Sequence, residues 1–425
     1  MAAGVSAARA CAYAVVRRVF EQDAFADRAF HAEARSLHGR DRSFAMALAY
    51  GTVQRRATLD HVAAILTGRP PERLDAPVLA ALRLGLMQVL FMDGVADHAA
   101  VHESVELAKR HARGGSGLVN AVLRRALREG RDLTAALDDA TPAHAAVKHS
   151  VPVWLAELWW SELGAERARA LLAAVNVPAE SAVRVNTLAG RVGDVAESLG
   201  VAWHPAPEIS EGLVLDEPFD VYGSAPWERG ELMPQSRAAM TVARTLAPAP
   251  GDRVLDLCAA PGAKTTHVAA LTGDAGGLVA VERHAGRAEA LRTTLARMHV
   301  HGATVEIADA TEPRPGPAFD RVLVDAPCSG LGTLQSRPDL RWRTSPERIA
   351  DLAVQQARIL AAGAAATRPG GTLVYSVCTI SQAESDAVVG DFLSGRSGWE
   401  ADVPLRPAPD TDGTDGFYIV RLRRT

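Results

Sequence analysis

The sequence predicts an all-helical N-terminal domain, a small α/β connecting segment, and a C-terminal α/β domain with a doubly wound, mostly parallel sheet. Residues 5–128 show only helical periods of apolar residues. From Arg253 onward the chain alternates short, apolar, β-rich runs with helical stretches. Continuous apolar strands separated by helices are typical of a parallel sheet that carries helices on both faces.

The helical domain is predicted to span residues 1–145. Its first helix has an apolar face that includes Val15 and Val19. The stretch 129–146 combines weak periodicity, a proline and mixed charges, which predicts a linker. The domain is mildly basic, and this is a weak indication of a nucleic-acid partner.

The connecting segment is predicted to span residues 146–235. Its first part, "VPVWLAELWWSEL", has a broad apolar helical face, so we expect a helix whose tryptophans pack in a core. The stretches "SAVRVNTL" and "GLVLD" predict two short strands. The segment is therefore small and mixed in structure.

The α/β domain is predicted to span residues 236–425. Ligands of doubly wound sheets bind at the carboxyl ends of the strands, so functional residues are expected there. In chain order the five predicted strands are "RVLDLC", "GLVAVE", "ATVEIA", "DRVLVD" and "GTLVYSV".

The composition indicates an ordinary globular protein. Of the 425 residues, 48% are hydrophobic and 23% charged, and the net charge of -4 gives no general argument for nucleic-acid binding. The absence of a long uncharged apolar run and of a signal-peptide pattern predicts a cytoplasmic protein without membrane contact. The four cysteines lie far apart, without the spacing of a zinc site or a disulfide framework, so we expect reduced thiols and no metal.

The turn after the first predicted strand, "DLCAAPGAKTTHVAAL", is a candidate cofactor site. Small residues before a helix allow backbone N–H groups to approach a polar ligand closely. The turn matches neither the phosphate-loop pattern nor the dinucleotide-binding pattern. It also contains Lys264, one of only three lysines in a chain that otherwise uses arginine.

Acids end the second, third and fourth predicted strands, at Glu282, Asp309 and Asp325. A carboxylate in such a place can bind the hydroxyls of a ribose. Each acid alone is at least as easily a helix cap or a turn residue. Together, at one edge of the sheet, they favour a cofactor that contains a nucleoside.

Two thiols follow the last two strands, Cys328 after the fourth and Cys378 after the fifth. Cys11 lies on an apolar helix face and is expected to be a small core residue. The loop around Cys328 allows exposure and a lowered pKa. A thiolate that adds to carbon 6 of a cytosine makes carbon 5 nucleophilic, so a thiol beside a methyl donor suits cytosine methylation. The context alone favours Cys328 as the nucleophile.

At these residues the sequence resembles the bacterial 16S ribosomal RNA cytosine-5 methyltransferases of the RsmB/Sun/Fmu type, whose fold contains a Rossmann-like S-adenosylmethionine-dependent domain. "DLCAAPGAKTTH", "DAPCSGLGTLQSRPDLRW" and "YSVCTI" are similar to three motifs of the catalytic domain. "AYGTVQRRATLDH", "VHESVELAKR" and "GLVNAVLRR" are similar to its NusB-like RNA-binding domain. The resemblance covers nearly the whole chain.

The resemblance implies S-adenosylmethionine as cofactor and a covalent cysteine-cytosine intermediate. It implies Cys378 as nucleophile, Cys328 as the thiol that helps to release the product, and Asp325 at the methionine or target-base side. Glu282 would bind the ribose, and Asp309 would lie near the adenine. The other cofactor-binding residues that it implies are Cys258, Ala259, Ala260, Pro261, Gly262, Ala263, Lys264 and Arg287.

The chain departs from the family pattern in four places. Ala263 stands where a second glycine is common, which predicts a stiffer turn, and Glu282 replaces a more usual aspartate. Val377 stands where threonine is typical, and "ELMPQSRAAM" matches its family segment poorly. None of these departures removes a thiol or a strand-end acid, so we expect activity.

The expected partner is 16S ribosomal RNA or a small-subunit assembly intermediate, bound by a monomer. Arg337, Arg341 and Trp342 are candidates for RNA backbone and stacking contacts, although a solvated loop with one packed tryptophan is equally compatible. A non-catalytic RNA-binding assembly or antitermination factor that retains a cofactor pocket is the alternative. A small-molecule methyltransferase would leave the NusB-like domain and the second thiol unexplained.

Overall fold

The computed structural model describes residues 4–314 and 318–425. They form two compact units. The helical unit contains the chain up to Val177 together with Leu334–Thr344, and the α/β unit contains Pro178–Thr333 and Ser345–Thr425. These units are defined by packing, whereas the three predicted domains follow sequence motifs, so that three-part division stays a prediction.

The helical unit confirms the predicted all-helical start of the chain. Apolar side chains of its helices, such as Val15, Leu82 and Leu123, are fully buried in one core. Cys11 belongs to this core, as expected, and burial raises the pKa of its thiol to about 11. The helices are α1 (Ala7–Glu21), α2 (Ala26–Glu33), α3 (Gly39–Gln54), α4 (Arg56–Thr67), α5 (Ala76–Phe91), α6 (Asp97–His111), α7 (Ser116–Ala135), α8 (Pro142–His149), α9 (Val153–Leu163), α10 (Ala165–Ala174) and α16 (Leu340–Arg343).

The linker predicted at 129–146 is wrong. Helix α7 continues to Ala135, and Gly130 within it packs closely against α5, since a Cβ on it would lie 2.6 Å from Leu90 Cδ2. Helix α8 then starts at Pro142, where the Thr141 hydroxyl accepts the His144 N–H at 3.2 Å. Only a short connection separates the two helices.

Residues Leu334–Thr344 pack within the helical unit. The Arg341 side chain has no exposed surface and donates to the Asn176 side chain at 3.0 Å and to four backbone carbonyls. Trp342 Nε1 donates to the Val53 carbonyl at 2.7 Å. The predicted RNA contact of Arg341 is therefore wrong, because the fold itself uses its guanidinium. Trp342 is half-buried, and its RNA contact stays a prediction. Arg337 is exposed, and its RNA contact stays a prediction.

The first part of the α/β unit is a four-stranded antiparallel sheet in the order β2-β3-β1-β4. The two strands predicted from "SAVRVNTL" and "GLVLD" are confirmed as β1 and β3. The elements are β1 (Ala182–Val185), α11 (Val192–Ser198), β2 (Trp203–Pro205), β3 (Gly212–Leu215), α12 (Ala225–Glu228) and β4 (Leu232–Pro234).

The second part is a seven-stranded sheet in the order β10-β11-β9-β8-β5-β6-β7, which confirms the predicted doubly wound fold. The five predicted strands are β5 to β9 and pair in parallel, whereas β10 and β11 add an antiparallel edge. The strands are β5 (Val254–Asp256), β6 (Leu278–Glu282), β7 (Ala303–Ile307), β8 (Phe319–Asp325), β9 (Thr367–Val377), β10 (Trp399–Ala401) and β11 (Tyr418–Arg424). The helices are α13 (Arg237–Leu246), α14 (Ala263–Leu271), α15 (Ala285–Arg297), α17 (Pro346–Ala366) and α18 (Asp386–Ser394).

The parallel pairing brings strand ends together at one edge of this sheet. Strand β8 pairs with β9 so that Asp325 lies opposite Ser376, and β5 lies between β8 and β6. The residues after β5, β6, β8 and β9 are therefore neighbours. Among the described helices, none combines the length and the hydropathy that crossing a bilayer requires.

Candidate active site

Two thiols meet at the carboxyl ends of β8 and β9. The Cys328 and Cys378 sulfurs lie 3.1 Å apart, and neither residue forms a disulfide. Cys378 directly follows β9, and Cys328 follows β8 in the loop that starts at Ala326. The pairing of β8 with β9 therefore brings the two thiols together.

The surroundings of Cys328 set its protonation. The hydrogen bond with Cys378 and the burial of the thiol raise the pKa of Cys328 well above its ordinary value, and the Glu384 carboxylate adds to this effect. The lowered pKa expected for Cys328 from its loop context is therefore wrong. Burial and the contact with Cys378 therefore favour the protonated form of Cys328.

A lysine-carboxylate pair lies at the same strand ends. Lys264 Nζ is 2.7 Å from Asp325 Oδ2, and the Ser376 hydroxyl donates to Asp325 Oδ1 at 2.7 Å. Burial lowers the pKa of Lys264, but the pairing with Asp325 and the nearby Cys378 outweigh burial, so the net pKa is raised. Lys264 is thus a half-buried cation whose positive charge favours a thiolate on Cys378.

The turn between β5 and α14 requires its glycine. Gly262 has a φ of +111°, and a Cβ there would lie 2.9 Å from Leu291 Cδ1. Asp256, at the end of β5, accepts from the Thr265 hydroxyl at 2.8 Å, and burial raises the pKa of its carboxyl to about 6. Ala263 begins α14 and does not occupy the positive-φ position, so it fits the turn without strain, and the stiffer turn expected from it stays a prediction.

The acids after β6 and β7 differ in their surroundings. Glu282 is buried, accepts the His284 N–H at 2.9 Å, and lies 3.4 Å from Arg287 Nε. Arg287 also donates to the Ala260 carbonyl at 2.8 Å, which connects the β6 end to the turn after β5. Asp309 accepts from the backbone N–H and the hydroxyl of Thr311, and these bonds lower its pKa.

Comparison with known proteins identifies the family. The family described as "16S rRNA methyltransferase RsmB/F" matches residues 243–423, the NusB family matches residues 6–128, and an RsmF/B-like ferredoxin-like domain matches residues 151–222. The chain is 33% identical to a "Probable ribosomal RNA small subunit methyltransferase B" of Synechocystis sp., over 98% of this chain and 99% of that one. This chain belongs to the RsmB/F family of 16S ribosomal RNA methyltransferases.

Further similarities agree with this family. "Ribosomal RNA small subunit methyltransferase B" of Thermus thermophilus is 36% identical over 91% of this chain and 89% of that one. A methyltransferase homologue from Pyrococcus horikoshii has a TM-score of 0.60 and 26% identity, over 67% of this chain and 99% of that one. The crystal structure titled PH0851 has a TM-score of 0.82 over 99% of this chain and 100% of that one, and at 23% identity this shows the fold alone.

The cofactor of this RsmB/F chain is S-adenosylmethionine, and the strand-end residues fit it. Gly262 leaves no room for a side chain because it packs against Leu291 and Thr294 of α15, and this close packing fixes the turn before α14. The carboxylates of Glu282 and Asp309 offer acceptors for the hydroxyl and amino groups of a nucleoside. Among the described residues, no group of three or more His, Cys, Asp or Glu side chains is arranged to hold a metal ion.

Sequence reasoning overlooked three residues of this site. Asp256 ends β5, and the strand-end rule that selected the other acids could have found it. Ser376 lies within β9, where an alternating pattern gives no sign of a contact with Asp325. Glu384 lies in a 3₁₀ turn at Gln382–Glu384 after Cys378, and the sequence carries no signal for its complete burial.

Proposed function

We propose that this chain transfers a methyl group from S-adenosylmethionine to carbon 5 of a cytosine in 16S ribosomal RNA. The observation that carries the proposal is the thiol pair, with 3.1 Å between the sulfurs, at the strand ends that also hold the Lys264-Asp325 pair. A methyltransferase that alkylates nitrogen or oxygen needs no thiol. Carbon 5 of cytosine is not nucleophilic in the intact ring, and a thiolate that adds to carbon 6 makes it so.

Cys378 is the proposed nucleophile. Its thiolate sulfur bonds to carbon 6, the ring nitrogen takes up a proton from solvent, and carbon 5 of the neutral adduct gains the character of an enamine. Asp325 would accept a hydrogen bond from the protonated ring nitrogen and so stabilise the positive charge that the ring gains when carbon 5 is methylated. Bound S-adenosylmethionine supplies the methyl group as an electrophile.

Cys328 is the proposed proton relay for release. After carbon 5 is methylated, the bond from Cys378 to carbon 6 must break and the proton on carbon 5 must leave. Cys328 donates its S–H proton to the departing Cys378 sulfur and takes up the proton from carbon 5. The ring nitrogen returns its proton to solvent, so that atoms and charges balance. The raised pKa of Cys328 suits a thiol that must hold a proton until this step.

The cofactor-binding residues are proposed from the same geometry. Glu282 and Asp309 would hold the nucleoside, the turn Cys258–Lys264 would approach the methionine end through its backbone, and Arg287 would support Glu282. The RNA partner would be 16S ribosomal RNA, naked or in a small-subunit assembly intermediate, bound by a monomer in the cytoplasm. The NusB family match at residues 6–128 supports an RNA-binding role for that region.

The test is methyl transfer followed by identification of the product. The wild-type chain is incubated with tritiated S-adenosylmethionine and unmodified small-subunit RNA, and the RNA is digested to nucleosides. We expect the label in 5-methylcytidine. Label in any other nucleoside, or no label with both naked RNA and assembly intermediates, would overturn the proposal. The exposed Glu400→Gln variant is a matched control and should transfer as the wild type does.

A further inference from the structure

Glu384 is a fully buried carboxylate that the proposed chemistry does not use. Its Oε1 accepts from the Ser329 backbone N–H at 2.8 Å and from Gln356 Nε2 at 3.0 Å. Its Oε2 accepts from the Thr379 hydroxyl at 3.2 Å and from the Ser329 hydroxyl. Burying a carboxylate costs several kcal/mol, and four neutral donors only partly offset this cost. Stability alone is therefore a poor explanation for it.

The donors to Glu384 come from both thiol loops. Ser329 directly follows Cys328, and Thr379 directly follows Cys378. The hydroxyls of Ser329 and Thr379 are also 2.8 Å apart. One carboxylate thus binds the residue after each thiol, so a shift of either loop would break at least one of its bonds.

Two further contacts fix the backbone of Glu384 and the loop before Cys328. The Tyr375 hydroxyl donates to the Glu384 backbone carbonyl at 2.7 Å, from within β9. Gln356 Nε2, on α17, donates to the Pro327 carbonyl at 2.9 Å as well as to Glu384. The strand and the helix therefore hold Glu384, and through Gln356 they also hold the residue before Cys328.

We propose that Glu384 is the positioning residue of the thiol pair, and that it holds Cys328 and Cys378 at the separation that proton relay requires. The inference rests on the proposed function, because it assigns Glu384 to the release step. The carboxylate also lies close enough to Cys328 to help keep the proton on that sulfur. A glutamine of the same shape would lack the charge and would present a donor to groups that are themselves donors.

The test compares Glu384→Gln with the wild type and with the exposed Glu400→Gln control. We expect kcat to fall about 10- to 100-fold, with little change in the KM for S-adenosylmethionine, because a small misplacement of reacting groups has effects of this size. A covalent RNA adduct should accumulate, since Cys378 still attacks but release is slow. The alkylation rate of Cys328 by iodoacetamide should rise at lower pH than in the wild type.

An unchanged kcat, no adduct and an unchanged alkylation profile in folded Glu384→Gln would overturn the inference. If this variant does not fold, Thr379→Val is tested instead, because it removes only one of the four hydrogen bonds to the carboxylate. We expect the same changes in smaller size. A Thr379→Val protein with the kcat, adduct level and alkylation profile of the wild type would then overturn the inference. Alkylation needs no RNA, so it also separates the two proposals. If the wild type transfers no methyl group, the proposed function is contradicted. If the wild type transfers methyl groups and Glu384→Gln has the same kcat, adduct level and alkylation profile, only the role of Glu384 is contradicted.

Discussion

Two charged side chains without exposed surface follow the two cysteines, Arg341 after Cys328 and Glu384 after Cys378. Arg341 lies in the helical unit, and its acceptors are one amide side chain and backbone carbonyls of that unit. Glu384 lies in the α/β unit, and its donors are the neighbours of the thiols. Two side chains that are equally buried can therefore have different roles. The partners of Arg341 indicate a structural role, and the partners of Glu384 indicate a role in positioning the thiols.

The largest expected effect is the loss of the Arg341 guanidinium. Arg341→Met should destabilise the helical unit by about 3–5 kcal/mol, because removal of one member of a buried polar network leaves the others unpaired. The free energy of unfolding of the helical unit is measured by urea unfolding, with hydrogen exchange over residues 4–177 as the probe. Arg337→Met, on the exposed part of the same segment, should change stability by less than about 0.5 kcal/mol. Equal effects of the two variants would mean that the network around Arg341 contributes nothing.

The second effect concerns His267 and Glu211, a buried pair in the α/β unit that lies outside the thiol loops. His267 Nε2 donates to Glu211 at 2.6 Å, and burial lowers the pKa of His267 to about 4 despite this bond. The unfolded chain takes up this proton near pH 6.5, so the neutral imidazole contributes its full stability above pH 6.5. This contribution is lost as the pH falls towards 4, and the total is about 3 kcal/mol.

Urea unfolding between pH 7 and pH 4.5 checks this linkage. The wild type should lose more stability than His267→Gln over this range, and the thiol alkylation profiles of the two should coincide. Parallel stability curves would contradict the assignment of a neutral buried His267. A shifted alkylation profile would contradict the separation of this pair from the thiol site.

The smallest effect is expected at Ser376, whose hydroxyl donates to Asp325 Oδ1. Ser376→Ala should lower kcat about tenfold, which corresponds to about 1.4 kcal/mol, since a hydrogen bond to a charged group is worth this much. Its steady-state kinetics are compared with those of Ser394→Ala, on the exposed end of α18. If both variants match the wild type, the Asp325 carboxylate does not depend on Ser376 for its position.

The sequence predicted the parts of the site that follow from local pattern and topology. The five apolar runs became neighbouring parallel strands, so the thiols and the strand-end acids necessarily met at one edge. Arg341 was placed wrongly because its burial depends on Ser150, Val175 and Asn176, which lie far away in the chain. "RPDLRWR" has the composition of an exposed basic loop, and no local pattern distinguishes the two cases.

Glu384 and the protonation of Cys328 could not be predicted for a related reason. A buried carboxylate is specified by donors from separate elements, here Ser329, Gln356 and Thr379. The pKa of Cys328 depends on its contact with Cys378, and the loop sequence around it suggested the opposite direction. Side-chain contacts between distant segments, rather than motif identity, decide these properties.

The most direct test of the division of roles between the thiols is trapping of the covalent RNA adduct. Wild type, Cys328→Ala and Cys378→Ala are each incubated with S-adenosylmethionine and small-subunit RNA, and adducts are resolved on denaturing gels and by intact mass. Cys328→Ala should accumulate an adduct bonded through Cys378, and Cys378→Ala should form none. An adduct that accumulates in Cys378→Ala and is absent from Cys328→Ala would show that Cys328 attacks, and would contradict the assignment.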